Sequence, residues 1–181
     1  MCQEDGRRVV VYIFGGQALI LRGIIDRPTV DIDIFTRSKR LEVLEGIKTL
    51  FKEDYGIEFD IGYEGRFRIV SGDLTWILPK GAYERAEAYW AGKNLTVFLL
   101  HPLDVFIMKC YRLDEKDVKD IVAICRKVPV TREMLVEVFG EYFALVRGSA
   151  TSKGMLKENF ENLALVLFEK YAPLAEGKGN K

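Results

Sequence analysis

The hydrophobic pattern of this chain changes period several times, and each change predicts an element. Val9 to Phe14 is an unbroken β-branched and aromatic run, so Arg7 to Phe14 is read as a buried strand. Gly15-Gly16 ends it, and Gly16 to Ile24 reads as a short helix. Val30-Asp31-Ile32-Asp33-Ile34 alternates apolar and acidic residues, which predicts a second strand over Val30 to Phe35. Between them Asp26-Arg27-Pro28-Thr29 makes a turn, because Pro28 pushes Arg27 away from helical geometry. Leu41, Leu44, Ile47, Leu50 and Phe51 fall on one helical stripe, so a helix runs from about Lys39 to Asp54, with Ser38 as its cap and Gly56 as its stop.

Ile57 to Ile61 predicts a third strand and Gly62 to Gly65 a turn. Arg66 to Val70 and Leu74 to Leu78 form a hairpin around Ser71-Gly72-Asp73. Ala82 to Ala91 reads as a short amphipathic helix stopped by Gly92, and Asn94 to Leu100 as the last strand. From His101 the period is helical: Leu103 to Tyr111, about Glu115 to Arg126 capped at Asp114 or a neighbour, Thr131 to Arg147, and Leu156 to Tyr171 after a linker over Gly148 to Ser152. Gly177 to Lys181 reads as a frayed tail. Four to six strands with intervening helices predict an α+β fold with a mixed β-sheet and flanking helices, followed by a C-terminal helical region. The division is a core over 1–100 and a helical extension over 101–181 packed on it as a single unit.

Composition narrows the function. Lys and Arg total 27 and Asp and Glu total 27, so no global charge favours nucleic acid and any basic patch has to be local. The three cysteines, Cys2, Cys110 and Cys125, are odd in number and lack metal-type spacing, which predicts a reducing, cytoplasmic setting. One histidine, His101, excludes a His-rich metal site and reads as a turn residue before Pro102. No stretch is long and apolar enough to span a membrane, and the first residues do not read as a signal peptide. Cys110 lies in an apolar run and is expected to be inert.

The candidate chemistry lies between Gly15 and Asp33. Two glycines between strand and helix let a ligand approach the backbone and offer N–H donors to phosphate. Asp31 and Asp33 fall on one face of a strand, where two carboxylates repel unless a cation sits between them. A hard divalent cation such as Mg²⁺ suits oxygen ligands. A phosphate-holding turn beside a metal-binding pair is the equipment of phosphoryl or nucleotidyl transfer. Gln17 either reaches a phosphate or faces solvent, and Arg27 is either a forked phosphate or carboxylate contact or a surface turn arginine.

Gly-Gly-x-Ala-Leu followed by Arg-x-Thr-x-Asp-x-Asp resembles the nucleotidyltransferase superfamily of DNA polymerase β type, and within it the AbiEii-like minimal nucleotidyltransferases. Asp104 to Lys109 and the later Lys116-Asp117-x-x-Asp120 resemble a second motif of the AbiEii-like group. The resemblance implies NTP as substrate, Mg²⁺ held by Asp31 and Asp33, and phosphates held by Gly15, Gly16, Gln17 and Arg27. It implies that Lys109, with Arg112 on the same helix face, contacts the nucleotide. The superfamily usually has a third carboxylate on a following strand. Asp60 fits best, with Glu58 on the same face, while a rival frame puts Asp73 before the next strand and leaves the acid missing. Asp117 and Asp120 suit support of the lysine face, since acids at a helix start favour the dipole. Trp90 or Tyr83 is a candidate to stack a nucleobase. The implied acceptor is a hydroxyl of an RNA or tRNA end, a protein or a small molecule. A toxin role with an antitoxin partner is implied too; oligomeric state is left open. The alternative is a degenerate nucleotide- or metal-binding protein acting as sensor or partner module.

Overall fold

The computed structural model describes residues 9–29, 31–36, 46, 48–49, 52–54, 58–63, 66–68 and 74–172, and of 31, 58–63 and 66–68 it describes the backbone. The expected cap Ser38 and stop Gly56, most of the helix over Lys39 to Asp54, the turn at Ser71-Gly72-Asp73 and the tail from Gly177 lie outside these residues. Strands β1 (Val9–Ile13), β2 (Asp31–Thr36), β3 (Glu58–Tyr63), β4 (Arg66–Arg68), β5 (Thr75–Ile77), β6 (Glu87–Ala91) and β7 (Leu95–Leu99) form one sheet in the order β5-β4-β3-β2-β1-β7-β6. The pairs β1–β7 and β2–β3 are parallel and the rest antiparallel, so the sheet is mixed and the fold α+β. The described helices are α1 (Gly15–Leu21), α2 (Lys80–Arg85), α3 (Pro102–Lys109), α4 (Glu115–Lys127), α5 (Arg132–Leu145), α6 (Ala150–Asn159) and α7 (Leu165–Tyr171), with a π-helical segment over Phe160–Ala164 joining the last two.

The seven strands among the described residues exceed the expected four to six, and the extra ones have physical reasons. The helix expected over Ala82 to Ala91 ends at Arg85, and Glu87–Ala91 is the edge strand β6, exposed along its length. Tyr89 and Trp90 are strand formers, and the backbone groups of β6 pair with β7 across a turn at Gly92-Lys93-Asn94. Gly62 belongs to β3 rather than to a turn, because it pairs with Phe35. The expected linker over Gly148 to Ser152 is shorter: Arg147 and Thr75 exchange N–H···O=C bonds of 2.7 and 3.0 Å, and Ser149 caps α6.

Alternation sorts the sheet into two faces. Val9, Val11 and Ile34 form a small cluster on one face. Tyr12 and Phe35 lie on the other, where the main core gathers α1 and the helices after residue 101. Tyr12 stacks between Phe35 (4.8 Å) and Phe98 (5.1 Å), a ladder across β2, β1 and β7. Every residue of α3 is buried, so this helix is core on all sides rather than amphipathic. Asp31 and Asp33 share the register face of Phe35, four and two residues upstream, so the acidic end of β2 faces the helical side.

Candidate active site

The Gly15-Gly16 turn leaves the end of β1 with Gly15 at φ +63°, a conformation natural to glycine. The Phe14 N–H donates to the Asp33 carbonyl at 3.0 Å, which fixes the turn against β2. A Cβ on Gly15 would run into Asp33 Oδ2, and one on Gly16 would lie 3.3 Å from Arg27 Nη2. A carboxylate and a guanidinium therefore stand over successive glycines. Two anchors hold the helix and loop between the acids and the turn: Arg22 donates to the Leu99 and Leu100 carbonyls, and Lys127 donates to that of Gly23.

Backbone register extends the acidic site. Asp33 pairs with Asp60 and Asp31 with Glu58 on the parallel strand β3. The side chains of Asp31, Glu58 and Asp60 lie outside the described residues, as does Asp73, the rival third acid. Among the described residues no group of three or more His, Cys, Asp or Glu is placed to hold a metal ion.

Behind the turn stands a chain of ion pairs. Arg27 forks onto Asp120, Nε to Oδ1 at 3.2 Å and Nη2 to Oδ2 at 2.7 Å. Asp120 Oδ2 also lies 2.8 Å from Lys109 Nζ, which reaches Asp117 Oδ1 at 2.7 Å. Arg112 Nε then meets Asp117 Oδ2 at 2.9 Å and Asp114 Oδ2 at 3.0 Å. Asp114 caps α4 by accepting the Asp117 N–H at 2.8 Å. Burial is graded along this chain: Asp120 and Asp117 are 1% and 2% exposed and Lys109 9%, while Arg27 is 31% and Arg112 48% exposed. Asp117 and Asp120 are sealed, while Asp114 and the two guanidiniums reach the surface.

The charges reinforce one another. The hydrogen bond to Asp120 makes Arg27 more basic than usual, outweighing its partial burial. The bond to Asp117 does the same for Arg112, helped by the charges of Asp117, Asp114 and, across the site, Asp33. Burial opposes ionisation of Asp117, but the Arg112 hydrogen bond and the nearby Lys109 charge prevail and hold its carboxyl below the ordinary range.

The expected site residues thus fall in three groups. Gly15, Gly16, Arg27 and Asp33 meet directly. Asp60 lies beside Asp33 by register, and Asp31 lies two residues before Asp33 on the same strand. Lys109 and Arg112 join through Asp117, with Lys109 Nζ between two carboxylates. Arg112 is not on the same helix as Lys109, because α3 ends at Lys109 and the chain turns before α4. Gln17 is half-buried in α1. Of the candidate stacking residues, Tyr83 packs edge-on to Tyr12 and Phe35, and Trp90 is half-exposed on the edge strand. The support expected of Asp117 and Asp120 for Lys109 is seen; that Asp120 also grips Arg27, 93 positions away in sequence, had no sequence signal.

A third buried acid lies at the other end of α3. Asp104 accepts a fork from Arg85 at 2.8 and 3.2 Å and the Tyr142 hydroxyl at 3.1 Å, while Arg85 also meets Glu141 at 2.9 Å. Burial raises the Tyr142 hydroxyl well above its usual pKa, and the Asp104 charge and hydrogen bond act the same way. Burial pushes the Cys110 thiol well up as well and the Cys125 thiol to about 11, so both stay protonated and inert.

A search among curated proteins finds no match to the chain. Among solved structures, the antibiotic-resistance factor ANT(2'')-Ia, known from its solution structure, is similar at 18% identity over 90% of this chain and 87% of that one, with a TM-score of 0.36. The family of nucleotidyltransferases of unknown function (DUF6036) matches residues 2–125, more than half of the chain and every residue of the Gly15–Asp120 cluster, so this protein belongs to that family.

Proposed function

We propose that this nucleotidyltransferase moves a nucleoside monophosphate from an NTP to a hydroxyl acceptor in a Mg²⁺-dependent reaction at the Gly15–Asp33 turn. The observation that carries the reading is the stacking of Asp33 and Arg27 over two successive glycines. Such a turn admits no side chain at Gly15, and it joins exposed backbone, an acid and a guanidinium at one place. The donor set fits a hard cation: Asp33, with Asp60 as its register partner and Asp31 two residues before it on β2, offers carboxylate oxygens only. Bound there, Mg²⁺ would neutralise triphosphate charge and polarise the phosphorus under attack.

The remaining roles belong to the protein. Gly15 and Gly16 present their backbone to the phosphates, and Gln17 lies one residue further along α1. Arg27 and Arg112, the exposed ends of the ion-pair chain, grip phosphate oxygens, a task suited to forked guanidinium donors. Lys109 adds charge from behind Asp117 and Asp120 and pairs with both acids beneath the arginines. The acceptor is an RNA or tRNA end, a protein hydroxyl or a small molecule. An AbiEii-like toxin with an antitoxin partner is the biological setting the motifs favour.

Calorimetry with Mg²⁺ and each of the four NTPs tests this, on wild type and on Asp31→Asn/Asp33→Asn. Binding that needs both Mg²⁺ and the acids is the expected result, followed by transfer of labelled NMP to tRNA or protein. No binding by folded wild type would sink the proposal. A specific observation favours a second reading, a nucleotide sensor without turnover: each basic residue of the site is already engaged by a carboxylate. Acid-dependent binding without transfer to any acceptor class would select it.

A further inference from the structure

We infer that Asn159, at the end of α6 and outside the family-matched residues, is a positioning residue that sets Arg112 in the phosphate site. Its Nδ2 donates to the Tyr111 carbonyl at 3.0 Å, 48 positions away in sequence. That carbonyl belongs to the peptide unit entering Arg112, so holding it fixes the plane from which the guanidinium departs. The next residue, Leu113, has φ +48°, a left-handed conformation uncommon for a leucine and persistent only where surroundings impose it. The loop is thus held at three points: the Leu113 N–H on the Lys109 carbonyl at 3.2 Å, the Arg112 side chain on Asp117 and Asp114, and Asn159 on Tyr111.

Asn159 is itself firmly placed. The next residue, Phe160, is 2% exposed and stacks on Phe139 with ring centroids 3.9 Å apart and planes within 1°. The π-helical segment begins there. Such a segment inserts a residue into the helical register and re-aims the side chains beside it, a device common at functional sites. The C-terminal helices, which carry none of the family motif, thereby reach the loop of the Arg112 cation.

The inference rests on the proposed phosphate role of Arg112, and the experiment separates the two. Mg²⁺-dependent NTP binding is measured on wild type, Asn159→Ala, Asn159→Asp, Arg112→Ala and the Asn159→Ala/Arg112→Ala double variant. Leu113 amide exchange is followed by NMR in parallel. Asn159→Ala is expected to weaken binding about fivefold, the scale of one lost hydrogen bond, and to speed exchange at Leu113. Asn159→Asp sets a carboxylate against a carbonyl and should cost more. In the Arg112→Ala background the Asn159→Ala loss should vanish, because the two act as one unit. Undiminished loss in that background, or unchanged binding and exchange in Asn159→Ala, overturns the positioning role alone. Absence of NTP binding in wild type overturns the phosphate reading, and this inference falls with it.

Discussion

The two ends of α3 carry the same chemistry to opposite purposes. At the first turn, Asp104 is fully buried and gripped by Arg85, Tyr142 and, through Arg85, Glu141. At the last turn, Lys109 is gripped by Asp117 and Asp120, which in turn hold Arg112 and Arg27. Both suit the helix dipole, an acid at the N-terminus and a cation at the C-terminus. They differ in where their outer charges go. Arg85 turns inward onto two acids and is 23% exposed, pinning α2, α3 and α5 together. Arg27 and Arg112 end at the surface beside the glycine turn and Asp33. A buried ion pair by itself is weak evidence of function; one whose outer ends converge on a bare backbone turn and an acidic strand is stronger.

The largest expected effect breaks the comparison at its functional end. Asp33→Asn should lower NMP transfer by at least about 10²-fold, the scale of losing a charged group that holds a metal in the transition state. Its melting temperature should stay near wild type, since Asp33 is only part-buried. Transfer assays beside thermal melts separate the two quantities, and a variant that melts early but transfers normally per folded molecule would reverse the assignment.

Asp104→Ala is the counterpart. It leaves Arg85 and the Tyr142 hydroxyl without their shared acceptor and should cost about 3–5 kcal/mol of stability by urea unfolding. NTP affinity per folded molecule should be unchanged. Asp120→Ala should show a similar stability loss together with weakened NTP binding, because Arg27 loses its anchor. If both variants lose only stability, the two ends of α3 are alike and the distinction fails.

Much of the functional end is legible in sequence because its signals are local. The glycine pair follows a β-branched run, and the alternation around Asp31 and Asp33 assigns both to one face by spacing alone. The spacing of Asp114, Asp117 and Asp120 likewise announces a capped helix with acids on one side. The grip of Asp120 on Arg27 and of Asn159 on Tyr111 is not legible, since contacts between distant residues leave no periodic trace. Strand β6 is hidden for another reason: Ala82 to Ala88 has helical composition, only Tyr89 and Trp90 favour a strand, and pairing with β7 recruits the second half to the sheet.

Gly15→Ala sharpens the comparison on the backbone side. The left-handed conformation costs an alanine about 1–2 kcal/mol, and the new methyl group displaces the Asp33 carboxylate. Lower stability together with lost NTP binding is expected. Gly16→Ala should be milder, because its methyl group meets only the far end of Arg27 at 3.3 Å, and a long side chain can give way. Calorimetry on the two variants orders them, and equal losses would show that the turn is read by sequence rather than by the space above it.

The smallest effect is a pH dependence at the structural end. His101 caps α3 by accepting the Leu103 N–H on Nδ1 at 3.2 Å, which requires an imidazole unprotonated at that nitrogen. Burial lowers its pKa from the ordinary 6.5, with the neighbouring charges acting in both directions. In the window just below 6.5 the unfolded chain therefore binds a proton that the folded chain refuses. Stability is complete above about pH 6.5 and declines as pH falls toward the folded pKa. His101→Asn keeps a capping acceptor without this titration, so the extra slope that His101 gives the wild-type urea midpoint below about pH 6.5 should be absent from it. His101 is the chain's one histidine, so a single imidazole NMR signal reports its titration, and a midpoint at or above 6.5 would contradict the burial argument.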